Sequence, residues 1–84
     1  MIAETSKYGR VVRLSADFHI DTAQVYYTVQ CDGCTFDFGG DFAPAANVYK
    51  KLSTRLAAGF IDVLLRNLVS AARDMGYTVR KAVA

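Results

Sequence analysis

The segment VQCDGCTF, residues 29–36, places a turn dipeptide between two apolar runs that are spaced for a β-hairpin. Asp-Gly is a strong short signal for a two-residue type I′ turn, because both central residues of that turn need a positive φ. A turn at Asp32-Gly33 pairs Cys31 with Cys34 and directs both thiols to the same face of the hairpin. Hairpin geometry therefore accounts for the CxxC spacing, and we interpret the two cysteines as paired residues at the edge of the core.

Alternation of apolar and polar residues extends this hairpin into a larger sheet. The next inward pairs are Val29 with Phe36 and Tyr27 with Phe38. A tight turn at Asp21-Thr22 adds another strand, whose inward pairs are Phe18 with Val25, Ala16 with Tyr27, and Leu14 with Val29. Both turns therefore predict registers that place the apolar residues on one face. This agreement is informative because a slip of one residue in either hairpin would pair apolar side chains with polar ones. Residues 10–38 are predicted to form a three-stranded antiparallel meander.

After Gly39-Gly40 the spacing of apolar residues changes to three and four, which is typical of a helix. The apolar stripe keeps its phase over residues 45–75, so the pattern leaves open one long helix or two consecutive helices, with Gly59 as the expected break or kink. Asp41 is an expected cap, and Pro44 suits the first turn. The second half is apolar around more of its circumference and is predicted to be the more deeply buried part.

The helical region is followed by a short predicted strand at residues 77–81. Gly76 suits the position after a last helical turn, and Arg80 and Lys81 would protect an edge strand from unwanted pairing. The predicted fold class is α+β in a single domain of residues 1–84. The expected order is a three-stranded antiparallel meander, one long or two consecutive helices packed on one sheet face, and a short C-terminal strand, whose place in the sheet is left open.

Composition indicates a globular protein. Hydrophobic residues make up 52% of the 84 residues and charged residues 21%, a balance typical of a folded domain. We expect no membrane span, because no apolar run approaches about 18 to 20 residues, and no signal peptide, so a cytoplasmic location is expected. Two cysteines are too few for a disulfide scaffold, and whether they are oxidised is left open. With a single histidine, a four-ligand zinc site is not expected, and no cofactor is predicted.

Catalysis is not predicted. The only histidine, His19, shares a strand face with Asp17 and Asp21, but the sequence offers no nucleophile elbow and no glycine-rich oxyanion loop near them. Catalytic roles require convergent geometry. A solvated strand end is the simpler interpretation, and we expect the protein not to be an enzyme.

Two sets of residues are candidates for binding. Residues 1–47 carry three basic and six acidic residues, whereas residues 48–84 carry seven basic and two acidic residues, a split that can steer a partner. On the expected helix, Lys50, Lys51 and Arg55 form an exposed basic cluster that could neutralise phosphates. On the outward sheet face, Arg13 and Tyr26 belong to the residue types that dominate protein interfaces.

A short α+β chain with a CDGC hairpin meander, a helical stretch from Pro44 to Met75 and no active-site motif resembles the small phage-encoded anti-CRISPR inhibitors in size and character. That class shares no common motif, so the resemblance carries over no residue. It implies a stoichiometric inhibitor that binds a CRISPR effector complex and blocks DNA recognition or nuclease recruitment. The net charge of +2 departs from the strongly acidic DNA mimics of that class.

We therefore expect a non-catalytic protein-binding module that acts as a monomer or homodimer on a larger protein complex, with no membrane partner. The alternative is a small nucleic-acid-binding protein that uses the basic helix face. The expected partner-binding residues are Arg13, Tyr26, Lys50, Lys51 and Arg55.

Overall fold

The computed structural model describes residues 2–58 and 61–81 and has an α+β fold. The elements in chain order are β1 (Ala3–Lys7), β2 (Arg10–His19), β3 (Gln24–Cys31), β4 (Cys34–Asp37), α1 (Phe42–Ala58), α2 (Asp62–Asp74) and β5 (Thr78–Lys81). All five strands form one antiparallel sheet in the order β1-β2-β3-β4-β5. None of the helices described is both long enough and apolar enough to cross a membrane.

The hairpin predicted around Asp32-Gly33 is confirmed. Cys31 pairs with Cys34, and the two turn residues adopt φ values of 48° and 79°. Both values lie in the left-handed region, as a type I′ turn requires. This turn therefore sets the register of β3 against β4, in which Val29 lies opposite Phe36.

The register predicted for the hairpin before it is also confirmed. In β2 and β3, the pairs are Phe18 with Val25, Ala16 with Tyr27 and Leu14 with Val29. The predicted pair of Tyr27 and Phe38 lies just beyond the end of β4. There the Phe38 N–H donates to the Tyr27 carbonyl at 3.0 Å, while the Tyr27 N–H donates to the Gly39 carbonyl at 2.7 Å. Two residues thus face Tyr27, so the ladder ends in a bulge-like widening.

A first strand, β1, was absent from the expected fold. It is joined to β2 by a second two-residue turn, Tyr8-Gly9, in which both residues have positive φ. The inward-facing residues of β1 include Ala3 and Thr5, which are small or polar. The strand is held by its backbone pairing and by a 2.8 Å hydrogen bond between the hydroxyls of Thr5 and Tyr49.

The structure also defines the division of the helical region and its start. Helix α1 ends at Ala58 and α2 begins at Asp62, so two consecutive helices are present; the proposed break at Gly59 falls outside the described residues. Pro44 lies in the first turn of α1, and Asp41 precedes it and accepts a hydrogen bond from the Tyr77 hydroxyl at 2.8 Å.

Helix α2 ends as the sequence predicts. Gly76, with a φ of 90°, donates to the Arg73 carbonyl at 3.0 Å. The Tyr77 N–H donates to the Ala72 carbonyl at 3.0 Å. These two bonds form a Schellman motif, which closes the helix and turns the chain into β5. The last strand lies beside β4, at the opposite edge of the sheet from β1, and places Arg80 on that edge.

The core lies between one face of the sheet and the helices. The largest side chains that are fully buried come from β2, β3, β4, α1 and the residue just before α2: Phe36, Leu52, Leu56, Ile61, Val12, Val29 and Cys31. Helix α1 packs on β1, β2 and β3, whereas α2 packs on β5. The expectation that the second half of the helical region is the more buried is wrong. Val63 of α2 is 68% exposed, because α2 lies toward the edge strand and α1 occupies the centre of the sheet.

The predicted inward face is buried along only part of the meander. Strand β1 pairs with β2 as far as Leu14, and β4 pairs with β3 as far as Thr28. Beyond those points β2 and β3 continue as a two-stranded extension, residues 16–26, which we call the ribbon. Phe18 and Ile20 lie on it and are 63% and 84% exposed.

Replacing Gly33 with alanine tests the turn that sets the register. Because Gly33 has a φ of 79°, Gly33→Ala places a Cβ in the left-handed region and should lower the free energy of unfolding by about 1–2 kcal/mol, as measured by urea denaturation.

Gly40→Ala is the matched control for that substitution. Gly40 does not have positive φ, and an added Cβ would meet only the Val25 carbonyl oxygen, at an ordinary contact distance of 3.8 Å. We expect a change of less than about 1 kcal/mol. Equal losses in the two variants would show that the turn conformation does not limit stability.

Candidate partner-binding surfaces

The five residues predicted to bind a partner lie on opposite sides of the molecule. Arg13 and Tyr26 belong to the sheet face that turns away from the helices, since the residue that follows each of them along its strand is packed in or against the core. Lys50, Lys51 and Arg55 lie on α1, which covers the other face. The structure therefore does not bring them together into a single site.

On the outward sheet face, both predicted anchors already have partners within the chain. Arg13 forms an ion pair with Glu4 at 3.5 Å. The ring of Tyr26 makes an edge-to-face contact with His19, with ring centroids 4.5 Å apart. The Tyr26 hydroxyl donates to the side-chain oxygen of Gln24 at 3.1 Å. A partner at this face would have to replace these contacts, which weakens it as a binding site.

The three cations of α1 line a groove between the two helices. The groove has a volume of about 490 Å³ and is lined by Asn47, Lys50, Lys51, Thr54, Arg55 and Leu64. We call it the basic groove. Over residues 2–58 and 61–81, no carboxylate forms an ion pair with any of its three cations. An anionic group entering the groove would meet three charges that are not yet neutralised, beside the apolar Leu64 on α2.

The ribbon forms a second candidate binding surface. Its inward-facing residues were expected from the sequence to be buried. Its exposed apolar residues are Phe18, Ile20 and Val25. Phe42, at the start of α1, is also exposed, and its ring packs edge-to-face on Tyr27, the residue after the ribbon in β3. A signal for it is present in the sequence, because residues 14–49 contain no lysine or arginine. This end of the molecule is therefore apolar and acidic, and it contrasts with the basic groove.

The predicted histidine cluster lies at the exposed end of this ribbon. Asp17, His19 and Asp21 are all exposed, and His19 makes its ring contact with Tyr26. Within the part of the chain that the structure describes, no group of three or more metal-ligating side chains could hold a metal ion.

The two cysteines are buried and present as free thiols beside the Asp32-Gly33 turn. Burial, followed by the nearby Asp32 carboxylate and the Cys34 thiol, raises the pKa of Cys31 from 9.0 to about 12. A thiol needs its ionised form to act as a nucleophile or a metal ligand. Cys31 is therefore suited to a structural role.

Arg10 links this turn to the helices. Its guanidinium lies 3.5 Å from the Asp32 carboxylate and 3.1 Å from that of Asp62. Asp62 is in the first turn of α2, where a negative charge is favoured by the helix dipole. Such exposed pairs contribute at most about 1 kcal/mol each, so Arg10 orients the turn more than it stabilises the fold.

Comparison with known proteins found no matching family model, no similar curated protein and no similar solved structure.

The raised pKa of Cys31 predicts a loss of stability at alkaline pH. The unfolded thiol ionises above pH 9.0, whereas the folded thiol stays neutral up to about 12. The contribution of the Cys31 thiol to the free energy of unfolding is therefore fully present below pH 9. It falls as the pH rises above that value, by up to about 1.4 kcal/mol per pH unit. Urea denaturation between about pH 8 and pH 11 measures it.

Cys31→Ala provides the comparison. All other titratable residues are the same in both proteins, so their contributions cancel when the two curves are subtracted. We expect the gap in unfolding free energy between wild type and variant to narrow as the pH rises. Parallel curves would mean that burial of the thiol does not carry this dependence.

Proposed function

We propose that the protein is a non-catalytic binding module that uses the basic groove to engage an anionic surface of a larger complex. The observation that carries the proposal is the set of three exposed cations, Lys50, Lys51 and Arg55, none of which has a carboxylate partner among the described residues. Cations on a surface are commonly offset by nearby carboxylates, so three uncompensated charges around one groove favour an anionic partner.

In its specific form, the proposed function is that of an inhibitor. By its resemblance to the anti-CRISPR class, the protein would bind a nucleoprotein complex, such as a CRISPR effector in the host cytoplasm, and block nucleic-acid recognition or nuclease recruitment. A basic groove supports this form because nucleoprotein complexes expose guide or target phosphates that such a groove can contact. Arg13 and Tyr26 would then be secondary contacts on the far side of the sheet.

The non-catalytic part of the proposal is supported by the surroundings of the reactive side chains. The Cys31 thiol is buried and its pKa is raised to about 12, which disfavours a nucleophilic role. His19 lies at the exposed strand end, and the contact described for its ring is with Tyr26. Neither arrangement resembles a base aligned with a nucleophile.

An inhibition assay with matched charge variants tests this function. Purified CRISPR effector complexes of several types are mixed with the protein, and binding and cleavage of labelled target DNA are measured. We expect stoichiometric inhibition of at least one complex by the wild type. The triple variant Lys50→Ala, Lys51→Ala and Arg55→Ala should need roughly tenfold to hundredfold more protein, because three charge contacts are lost.

The control variant removes three exposed charges elsewhere, through Arg66→Ala, Arg80→Ala and Lys81→Ala. It makes the same change in net charge, so it should inhibit like the wild type if position matters. If both triple variants lost inhibition equally, the effect would come from net charge and not from the position of the groove. No inhibition of any complex by the wild type would remove the inhibitor form of the proposal.

Direct binding of nucleic acid is the second candidate, and the same uncompensated cations favour it. If these three residues contact phosphates, the logarithm of the affinity should fall against the logarithm of salt concentration with a slope of about −2 to −3. Fluorescence anisotropy with labelled single-stranded and duplex oligonucleotides measures that slope. A slope near zero, or binding that survives the triple groove variant, would exclude this use of the groove.

A further inference from the structure

The ribbon leaves large apolar side chains in solvent at one end of the molecule. Phe18 is 63% exposed and Ile20 is 84% exposed, and Phe42, whose ring contacts Tyr27 of β3, is 47% exposed. Phe18 lies opposite Val25, which is 36% exposed and shares the same face. Scattered exposed apolar residues are ordinary, but a contiguous set of this kind is typical of a surface that another molecule covers.

The backbone of the ribbon also leaves its outer edges unpaired by any other described strand. Within the described part of the chain, no further strand pairs with residues 16–26 beyond the mutual pairing of β2 and β3. A two-stranded hairpin alone is marginally stable in water and gains stability when one of its faces is packed. The exposure of Phe18 and Val25 shows that the apolar face of the ribbon is accessible to a partner.

Charge indicates what kind of partner fits. Asp21 lies at the tip of the ribbon, Asp41 precedes Phe42, and the span of residues 14–49 offers no lysine or arginine to offset them. A partner surface should therefore be basic and should include an apolar contact. The basic groove of this same chain has those properties, with three unpaired cations around Leu64.

The two surfaces also face the same way. The inward face of the ribbon continues the sheet face that α1 covers, and the groove opens on the side of α1 that turns away from the sheet. A twofold axis can therefore set the ribbon of each copy over the groove of the other and form two equal contacts in a closed dimer.

We propose that a second copy of this chain covers the ribbon, with the apolar and acidic ribbon of each protomer docked in the basic groove of its partner. Packing of ribbon on ribbon is disfavoured because it would bring like carboxylates together. Edge-to-edge pairing at β5 is disfavoured by the charges of Arg80 and Lys81. The dimer would occlude the basic groove, which the proposed function assigns to an anionic partner. Dimerisation and partner binding would therefore compete. Only this competition rests on the proposed function.

Sedimentation equilibrium of the purified protein tests the proposal without any partner. We expect the mass to rise from that of the 9.2 kDa monomer toward twice that value between about 1 μM and about 1 mM. Ile20→Ser should raise the dimer dissociation constant by at least about tenfold, since it removes a large apolar contact. Because Ile20 is already 84% exposed in one copy, this change should leave the fold intact.

Met75→Ser is the matched control, since Met75 is 68% exposed and lies outside both surfaces. It should dimerise like the wild type. Raising salt from about 0.1 M to about 1 M shortens the screening length from about 10 Å to about 3 Å, and it should weaken the wild-type dimer.

A charge exchange identifies the two surfaces that meet. The variant Asp21→Lys makes the tip of the ribbon basic, and the variant Lys50→Glu and Lys51→Glu makes the groove acidic. Each alone opposes like charges and should be monomeric over the whole concentration range. An equimolar mixture restores both attractive contacts, so the mixture should form a heterodimer.

Each outcome has a definite meaning. A wild type that stays monomeric at the highest concentration overturns the proposal, whatever the result of the inhibition assay. Dimerisation of the acidic-groove variant on its own, at wild-type strength, would mean that the ribbons pack on each other and would overturn the assignment of the groove. Failure of the mixed variants to associate would overturn the electrostatic pairing. Dimerisation without inhibition of any complex would leave this inference intact and remove only the proposed function.

Discussion

The fold depends on the register that the Asp32-Gly33 turn imposes on β3 and β4. With both residues at positive φ, the turn sets Cys31 against Cys34 and directs Phe36 to the face that the helices cover. The same turn determines where β5 lies, because β5 pairs with the strand that follows the turn. A slip of one residue would turn the inward side chains of β4 to solvent and disrupt the packing of α1 and α2 alike.

Unequal strand lengths explain why this fold has two contrasting surfaces. Strand β2 has ten residues, whereas β4 and β5 have four each, so neighbours and helices cover only one end of the long hairpin. Residues 14–49, which build the uncovered end, contain no lysine or arginine, and α1 carries its cations from Lys50 onward. The charge asymmetry along the sequence thus becomes an asymmetry in space, with an acidic ribbon and a basic groove.

Local signals predicted most of the fold, because turn chemistry and alternation are properties of neighbouring residues. They failed where burial depends on a distant element. Strand β1 was missed because its inward residues, Ala3 and Thr5, carry no apolar alternation, and it is held by pairing with β2. Phe18 was expected to be buried because alternation identifies a face but cannot tell how far a helix extends over it. The sequence identified the cations of α1 as candidate binding residues. It did not identify the ribbon, whose charge is of the opposite sign, as a binding surface.

The missed strand and the misjudged burial have different consequences for function. Omitting β1 changes the sheet edge but leaves the binding surfaces as they were. Misjudging Phe18 and Val25 assigns to the core side chains whose exposure needs another explanation. Among the described residues the buried core does not include these side chains, so they contribute little apolar burial to the monomer. Their exposure increases the apolar surface in water, which is unfavourable unless another surface covers it. An apolar, acidic ribbon and a basic groove on one small chain are therefore best understood together, as complementary surfaces whose pairing would control whether the groove is available to an anionic partner.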